Sequence, residues 1–378
     1  MKTPVFVLFG LLAAAGCSLR TGVEPVESVT RSCRPPAGGY ALADAPDQAF
    51  DAALDEDDRQ VLMPGIFDAP AVGDGPLSTR IQGPGDLVRA NRRIFVARQG
   101  FEGAYDCIRL GDASEVTAGR DLPNVLRVPF TYHNRSYEAL AYTTTPLECR
   151  RQGTGALVIP GSGVNQATGV LLDASNYQRG LIDGLAGLAS TFVLLKPDED
   201  ATAWHNGDGK KVSGALIWNW HLNRGGSYSV SYLLHGMAFM KYLKQCFSQT
   251  VVAGLSQGGA ASLLVALQAR PTAAIVASGH SVLFDQMEWS GHNQLIGVPG
   301  YARLFQAAVL RASVAQVPTR WLFTWGRADT DIYKIESTRR FTAESLRGLG
   351  NVDVVIHEGG HDVPPGPIRT FLAGLKRP

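Results

Sequence analysis

One hexapeptide, Gly254-Leu255-Ser256-Gln257-Gly258-Gly259, constrains the fold more than any other stretch of the chain. A β-rich run at 250–253 precedes it, and a helical pattern over 258–270, stopped by Pro271, follows it. A serine on so sharp a strand-to-helix turn has its hydroxyl pushed into a cleft at the end of a sheet. Side chains two places either side would collide across the turn, which accounts for Gly254 and Gly258. The helix that starts there offers unpaired N–H groups and the positive end of its dipole to developing negative charge. The pentapeptide alone can arise by chance in a glycine-rich chain: 42 glycines in 378 residues is about 11%, against roughly 7% in ordinary usage. Its setting between strand and helix makes Ser256 a candidate nucleophile.

The surroundings repeat that alternation. Residues 125–132 and 136–143 are two β-rich runs split by His133-Asn134-Arg135, a hairpin. Short apolar strands follow at 156–159, 191–195, 250–253, 273–277, 320–325 and 352–356. Helical patterns stand between and after them: 163 to about 188, 228–246, 258–270, about 337–349 and about 368–375. In 228–246 the stripe is Val230, Leu233, Leu234, Met237, Met240 and Leu243, the spacing of an amphipathic helix. Strands and helices in this order predict an α/β fold, a mainly parallel central sheet with helices on both faces. A hydrophobic content of 45% fills such a core and excludes a disordered chain. With 35 Lys and Arg against 34 Asp and Glu, the net charge of +1 leaves no basic excess for nucleic acid. No repeat with a period of roughly 20–50 residues is present, which excludes solenoids and propellers.

With these elements, the Gly-x-Ser-x-Gly turn resembles that of the α/β-hydrolase family, and the resemblance covers about residues 125–376. That family orders its site as nucleophile, acid, histidine, the acid after a late strand and the histidine after the last. Strand 320–325 runs into Gly326-Arg327-Ala328-Asp329, and strand 352–356 into His357-Glu358-Gly359-Gly360-His361-Asp362. The resemblance therefore implies Ser256 as nucleophile, His361 as general base and Asp329 as the carboxylate that orients the imidazole. Asp331, on the same loop, is the alternative acid, and His357, at a strand end, is read as structural. The oxyanion donors it implies are the N–H groups of Gln257 and, in the loop Pro160-Gly161-Ser162-Gly163, of Ser162, with Gly163 as the alternative. No cofactor is expected.

His357-Glu358-Gly359-Gly360-His361 also spells H-E-x-x-H, a zinc pattern that works only when both histidines share one helix face. Two adjacent glycines cost about 1 kcal/mol each inside a helix, and a strand leads straight into the segment. No metal site is expected there. The five cysteines contain no C-x-x-C, which argues against a zinc ribbon or a thioredoxin-like site.

Aromatic residues Trp204, His205, Trp218, Trp220, His221, Tyr228 and Tyr232 crowd the stretch before the nucleophile strand, where they could line an acyl or sugar pocket or simply fill the core. Residues 281–317, with Trp289, His292 and Tyr301, are long for a plain connection and mark a possible lid. The expected activity is a serine hydrolase acting on a small-molecule or polysaccharide carboxylic ester. A serine peptidase of the same fold is the alternative, and a non-catalytic binding protein on this scaffold is the third.

The N-terminus reads as an address. Residues 1–16 form a secretory signal, too short to span a bilayer of roughly 30 Å hydrocarbon thickness. It closes with Ala14-Ala15-Gly16-Cys17, which resembles the lipobox of bacterial lipoproteins, although Ala14 stands where leucine is usual. The resemblance implies cleavage before Cys17 and a lipid on its thiol. The expected location is the bacterial cell envelope, at the outer membrane if the host is Gram-negative, since Ser18 is not the aspartate that signals retention. Cleavage after Ala15 and soluble secretion is the alternative. Cys33, Cys107, Cys149 and Cys246 remain, an even number that suits an oxidising compartment and allows three pairings. The expected organisation is a tether over 17–50, an accessory region over 51–123 and a catalytic domain over 124–378.

Overall fold

In a computed structural model of the chain, the described residues are 104–116, 123–132, 135–144, 149, 152–162, 166–196, 228–279, 306–329 and 335–375. Cys17, Cys33, Gly163, Asp331, the aromatic residues from Trp204 to His221, and Trp289, His292 and Tyr301 lie outside them.

Among the described residues ten strands form one sheet: β1 (Arg109–Leu110), β2 (Ser114–Val116), β3 (Val125–Tyr132), β4 (Arg135–Thr143), β5 (Thr154–Ile159), β6 (Ser190–Leu194), β7 (Gln249–Leu255), β8 (Ala273–Ala277), β9 (Arg320–Gly326) and β10 (Val352–His357). The order is β1-β3-β4-β6-β5-β7-β8-β9-β10, with β2 also on β3. From β6 to β10 every neighbouring pair is parallel, whereas β4 runs antiparallel to both β3 and β6. The β3–β4 hairpin has Val125 opposite Tyr142 and Tyr132 opposite Arg135. The central strands β5, β7 and β8 are buried almost end to end, as continuous apolar runs must be when helices cover both faces.

Alternation along these strands divides the apolar side chains into two cores. Leu157, Ile159, Val252, Val276, Trp321, Phe323 and Trp325 point to one face, where α4 (Tyr228–Cys246), α5 (Gln257–Ala269) and α6 (Ala307–Ala315) pack. Ala156, Val158, Val251, Ala253, Leu255, Ile275 and Leu322 point to the other, beneath α2 (Gln166–Leu172), α3 (Arg179–Leu185) and α8 (Pro365–Ala373). The remaining helices are α1 (Ala104–Cys107) and α7 (Ile335–Leu346). Gly180 and Gly184 sit one turn apart on α3. A Cβ at Gly184 would lie 2.8 Å from Ile368, so the glycines let α8 approach closely.

Four expectations change in this frame. The sheet includes strands before residue 124, because β1 and β2 hydrogen-bond along β3. The helical stretch expected from 163 to 188 is two helices broken by a turn. There Asp173 Oδ1 accepts from the Ser175 N–H at 2.8 Å, and Asn176 Oδ1 from the Gln178 N–H at 2.9 Å, local bonds that compete with the helix. The stripe on α4 understates its burial. Tyr232, Ala238, Phe239 and Tyr242 are buried as well, so α4 is enclosed nearly all round rather than half exposed. Finally, the end of the 281–317 segment is α6, whose Leu310 and Val314 are fully buried in the core that holds Trp321. Residues 281–305, where a lid would stand, lie outside the described residues.

One disulfide joins Cys149, ahead of β5, to Cys246 at the end of α4, and Cys107 is disulfide-bonded too. Short α1 is tied to α4 by Lys241, whose Nζ donates to the Tyr105 carbonyl at 3.0 Å and the Ile108 carbonyl at 2.8 Å. Burial holds the Lys241 amine below its ordinary range and pushes the Tyr105 phenol up to about 12.

Candidate active site

Ser256 stands between β7 and α5, buried, with φ 61° and ψ −126°. A non-glycine residue so placed costs on the order of 1–3 kcal/mol and persists only where its surroundings hold it. The glycines around it do so by leaving no room for alternatives. A Cβ on Gly254 would meet the Gly258 carbonyl oxygen and lie 2.7 Å from Ser262 Oγ. One on Gly259 would lie 2.5 Å from the Ala277 oxygen, and one on Gly258 would strike the Ile159 oxygen and lie 2.7 Å from that of Pro160. The turn is thus pressed against both neighbouring strands, β5 and β8. Its own N–H donates to Ala277 O at 3.0 Å.

The acid and the histidine come from the ends of the next two strands out. Asp329 follows β9 and His361 follows β10. His361 Nδ1 lies 3.0 and 3.1 Å from the two carboxylate oxygens of Asp329. An ionised carboxylate only accepts, so Nδ1 carries the proton and Nε2 is left as the basic nitrogen. The Asp329 side chain is 1% exposed and that of His361 26%, so the carboxylate is buried while the ring stays partly open to solvent. Gly326 allows the loops to cross: a Cβ there would strike the carbonyls of Gly359 and Gly360, and Ala328 N–H donates to Gly359 O at 2.9 Å.

Residues absent from the sequence reading complete the site. Ser278, just past β8 with φ 38°, donates its hydroxyl to Asp329 Oδ2 at 2.8 Å. Tyr177 stacks on His361, with ring centroids 5.6 Å apart and planes 23° apart. The Tyr177 hydroxyl in turn lies against Gly161, 2.5 Å from where a Cβ would stand. A chain of contacts thus runs from the Ser256 N–H to Ala277 and, through the adjacent Ser278, to Asp329, His361 and Tyr177. Ser278 and Tyr177 carry no local signal; Asp173-Ala174-Ser175-Asn176, which breaks the helix before Tyr177, was the available hint.

Gln257 opens α5 directly after Ser256, and the Ile159 and Pro160 carbonyls lie against Gly258, so the chain that continues to Ser162 runs past the turn. Lys196 and Gln178, both fully buried, hold the intervening Gly161. Its N–H donates to Gln178 Oε1 at 2.7 Å, and its carbonyl accepts from Lys196 Nζ. Residues 358–362 are irregular rather than helical, so His357 and His361 do not share the helix face that a zinc pair needs. His357 Nδ1 accepts from the Gly359 N–H at 3.1 Å, which fixes the loop that carries His361. Tyr232 is buried in the core on α4, Tyr228 begins that helix, and the other aromatic residues of that stretch lie outside the described residues.

No protein-family model matches the sequence, and no curated protein is similar to it in sequence. Among solved structures, an esterase from Pyrococcus furiosus aligns over 74% of this chain and 92% of its own at 15% identity, with a TM-score of 0.37. Acetyl xylan esterase 1 from Thermoanaerobacterium aligns over 71% and 90% at 15% identity, TM-score 0.43. A puromycin-hydrolyzing peptidase from Mycobacterium tuberculosis aligns over 70% and 44% at 13%, TM-score 0.42. The fold assignment rests on the chain's own topology. A mainly parallel sheet covered on both faces, a serine elbow after a central strand, and a carboxylate and histidine after the last two strands make this the α/β-hydrolase fold.

Proposed function

We propose that the chain is a serine hydrolase that cleaves carboxylic esters through an acyl-enzyme on Ser256. Two observations support the reading: the pairing of His361 Nδ1 with the buried Asp329 carboxylate, and the positive-φ serine elbow after β7. In the first half-reaction Ser256 Oγ attacks the ester carbonyl carbon and its proton passes to His361 Nε2. The oxyanion accepts from the N–H groups of Gln257 and Ser162. As the C–O bond breaks, His361 returns the proton to the departing alcohol. Water then repeats the attack on the acyl-enzyme, with His361 again taking the proton, and the acid and free Ser256 are released. Asp329 stays ionised throughout and stabilises the imidazolium; Ser278 keeps the carboxylate turned toward the ring.

Esters are preferred over amides because an alkoxide leaves with less help from a general acid than an amine does. The test is a panel of chromogenic esters of increasing acyl length, run beside acetylated polysaccharide and peptide amides, with serine-directed fluorophosphonate labelling. Turnover of esters and labelling at Ser256 support the reading. Rapid amide cleavage with inert esters would assign a peptidase instead, and labelling that survives Ser256→Ala would move the nucleophile. We also propose that Cys17 is lipidated and holds the enzyme on a membrane of the cell envelope, on the strength of the Ala14-Ala15-Gly16-Cys17 box.

A further inference from the structure

We propose that Lys196 is a positioning residue for the oxyanion donors, an inference that rests on the reading of Ser256 as the nucleophile. Lys196 stands two residues past β6 and is fully buried. Burying an ammonium destabilises a fold unless its partners are held in place, so an apolar side chain would serve packing better. Its Nζ donates to the Gly161 carbonyl and to Gln257 Oε1, the latter at 3.3 Å. It thus touches both segments whose N–H groups face the reacting carbonyl.

The geometry of a peptide unit explains what this contact does. The Gly161 C=O and the Ser162 N–H belong to one trans-planar peptide and point in opposite directions. A carbonyl drawn inward by Lys196 turns the Ser162 N–H outward. The N–H of Gly161 is held independently by Gln178 Oε1 at 2.7 Å, and Gln178 Nε2 donates onward to Gln166 Oε1. Gly161 itself has little intrinsic preference for one backbone conformation. Without Lys196 the peptide can flip and aim its carbonyl at the developing oxyanion, which exchanges a donor for a repelling acceptor. The loss falls on the transition state, where the oxyanion exists, and not on substrate binding.

Lys196→Met removes the donors while keeping the length of the chain. Steady-state hydrolysis of a chromogenic acetyl ester should show kcat lowered about 10²-fold with KM within threefold of wild type. Inhibition by a trifluoromethyl ketone, whose serine adduct carries an oxyanion, should weaken by a similar factor. Gln178→Leu should give the same pattern at about 10-fold, and it decides the matter alone if Lys196→Met does not fold by circular dichroism. A folded Lys196→Met with kcat within threefold of wild type, or with only KM raised, overturns the proposal; so does an unchanged kcat in Gln178→Leu when Lys196→Met is unfolded. Wild type that neither labels with fluorophosphonate nor turns over ester overturns the hydrolase reading, and this inference with it. A labelled, active wild type beside an unaffected Lys196→Met overturns this inference alone.

Discussion

Adding one methyl group at Gly258 tests whether close packing of the elbow sets the rate. In Gly258→Ala the new Cβ strikes the Ile159 oxygen and lies 2.7 Å from the Pro160 oxygen, against the 3.4 Å at which ordinary contact begins. Pro160 must therefore retreat by at least about 0.7 Å, the difference between those two distances, with the Ile159 carbonyl forced further still, and it carries Gly161 and Ser162 with it. Overpacking of this kind costs about 1–3 kcal/mol of stability. A misplacement near 1 Å of a group that stabilises the transition state costs on the order of 10²-fold in rate. Gly153→Ala is the control. Gly153 has φ +76° with nothing within 4 Å of a Cβ, so alanine there is strained without pushing on any neighbour. The left-handed backbone costs roughly 1–2 kcal/mol for a residue with a Cβ. Both variants should melt earlier by a few degrees in differential scanning calorimetry, at about 2–4 °C per kcal/mol. Only Gly258→Ala should lose kcat on the chromogenic ester, by about 10²-fold. A folded Gly258→Ala with kcat within threefold of wild type would refute the link between the Pro160–Ser162 loop and the oxyanion.

Four further outcomes are expected. Ser256→Ala and His361→Ala should each lower turnover on the order of 10⁴–10⁶-fold, with the double variant hardly worse, because the members act as one unit. Asp329→Asn should cost roughly 10⁴-fold at most while Asp331→Asn stays near wild type; the reverse ranking in the same ester assay would reassign the acid. Opening the Cys149–Cys246 bridge with Cys246→Ser releases a loop whose ends are 97 residues apart, and the chain-entropy model puts closure of a loop near that length at about 4.7 kcal/mol. Urea unfolding monitored by tryptophan fluorescence should show about 2–5 kcal/mol lost, and an unchanged midpoint would show that the bridge contributes nothing. Wild type should partition with membranes and Cys17→Ala should not, since lipidation adds about 0.8 kcal/mol per buried CH₂. Soluble wild type beginning at Gly16 would place the cleavage after Ala15 instead.

Much of the molecule is legible without coordinates because its signals are local. The apolar run of β8 and the stripe of α4 occupy Ala273–Ala277 and Tyr228–Cys246, the spans that periodicity alone predicts. Gly254, Ser256 and Gly258 declare a turn because their constraint is steric and lies within five residues. Asp329 and His361 are picked out by the family resemblance, because each stands a few residues past the end of a late strand. β1 and β2 leave no such signal: strands of two and three residues are too short to show a period, and only pairing with β3 defines them.

Tertiary structure decides what lies between distant segments. Lys196 meets Gly161 and Gln257 across 35 and 61 residues, Ser278 meets Asp329 across 51, and Cys149 finds Cys246 rather than another cysteine. These partners converge because β6, β5, β7, β8 and β9 are laid side by side in an order that differs from their order in the chain. Local sequence governs whether a residue is in a strand or a helix, through periods of two and 3.6. Which strand end faces which depends on the whole packed sheet, and a buried lysine, serine or glutamine acquires its role from that juxtaposition.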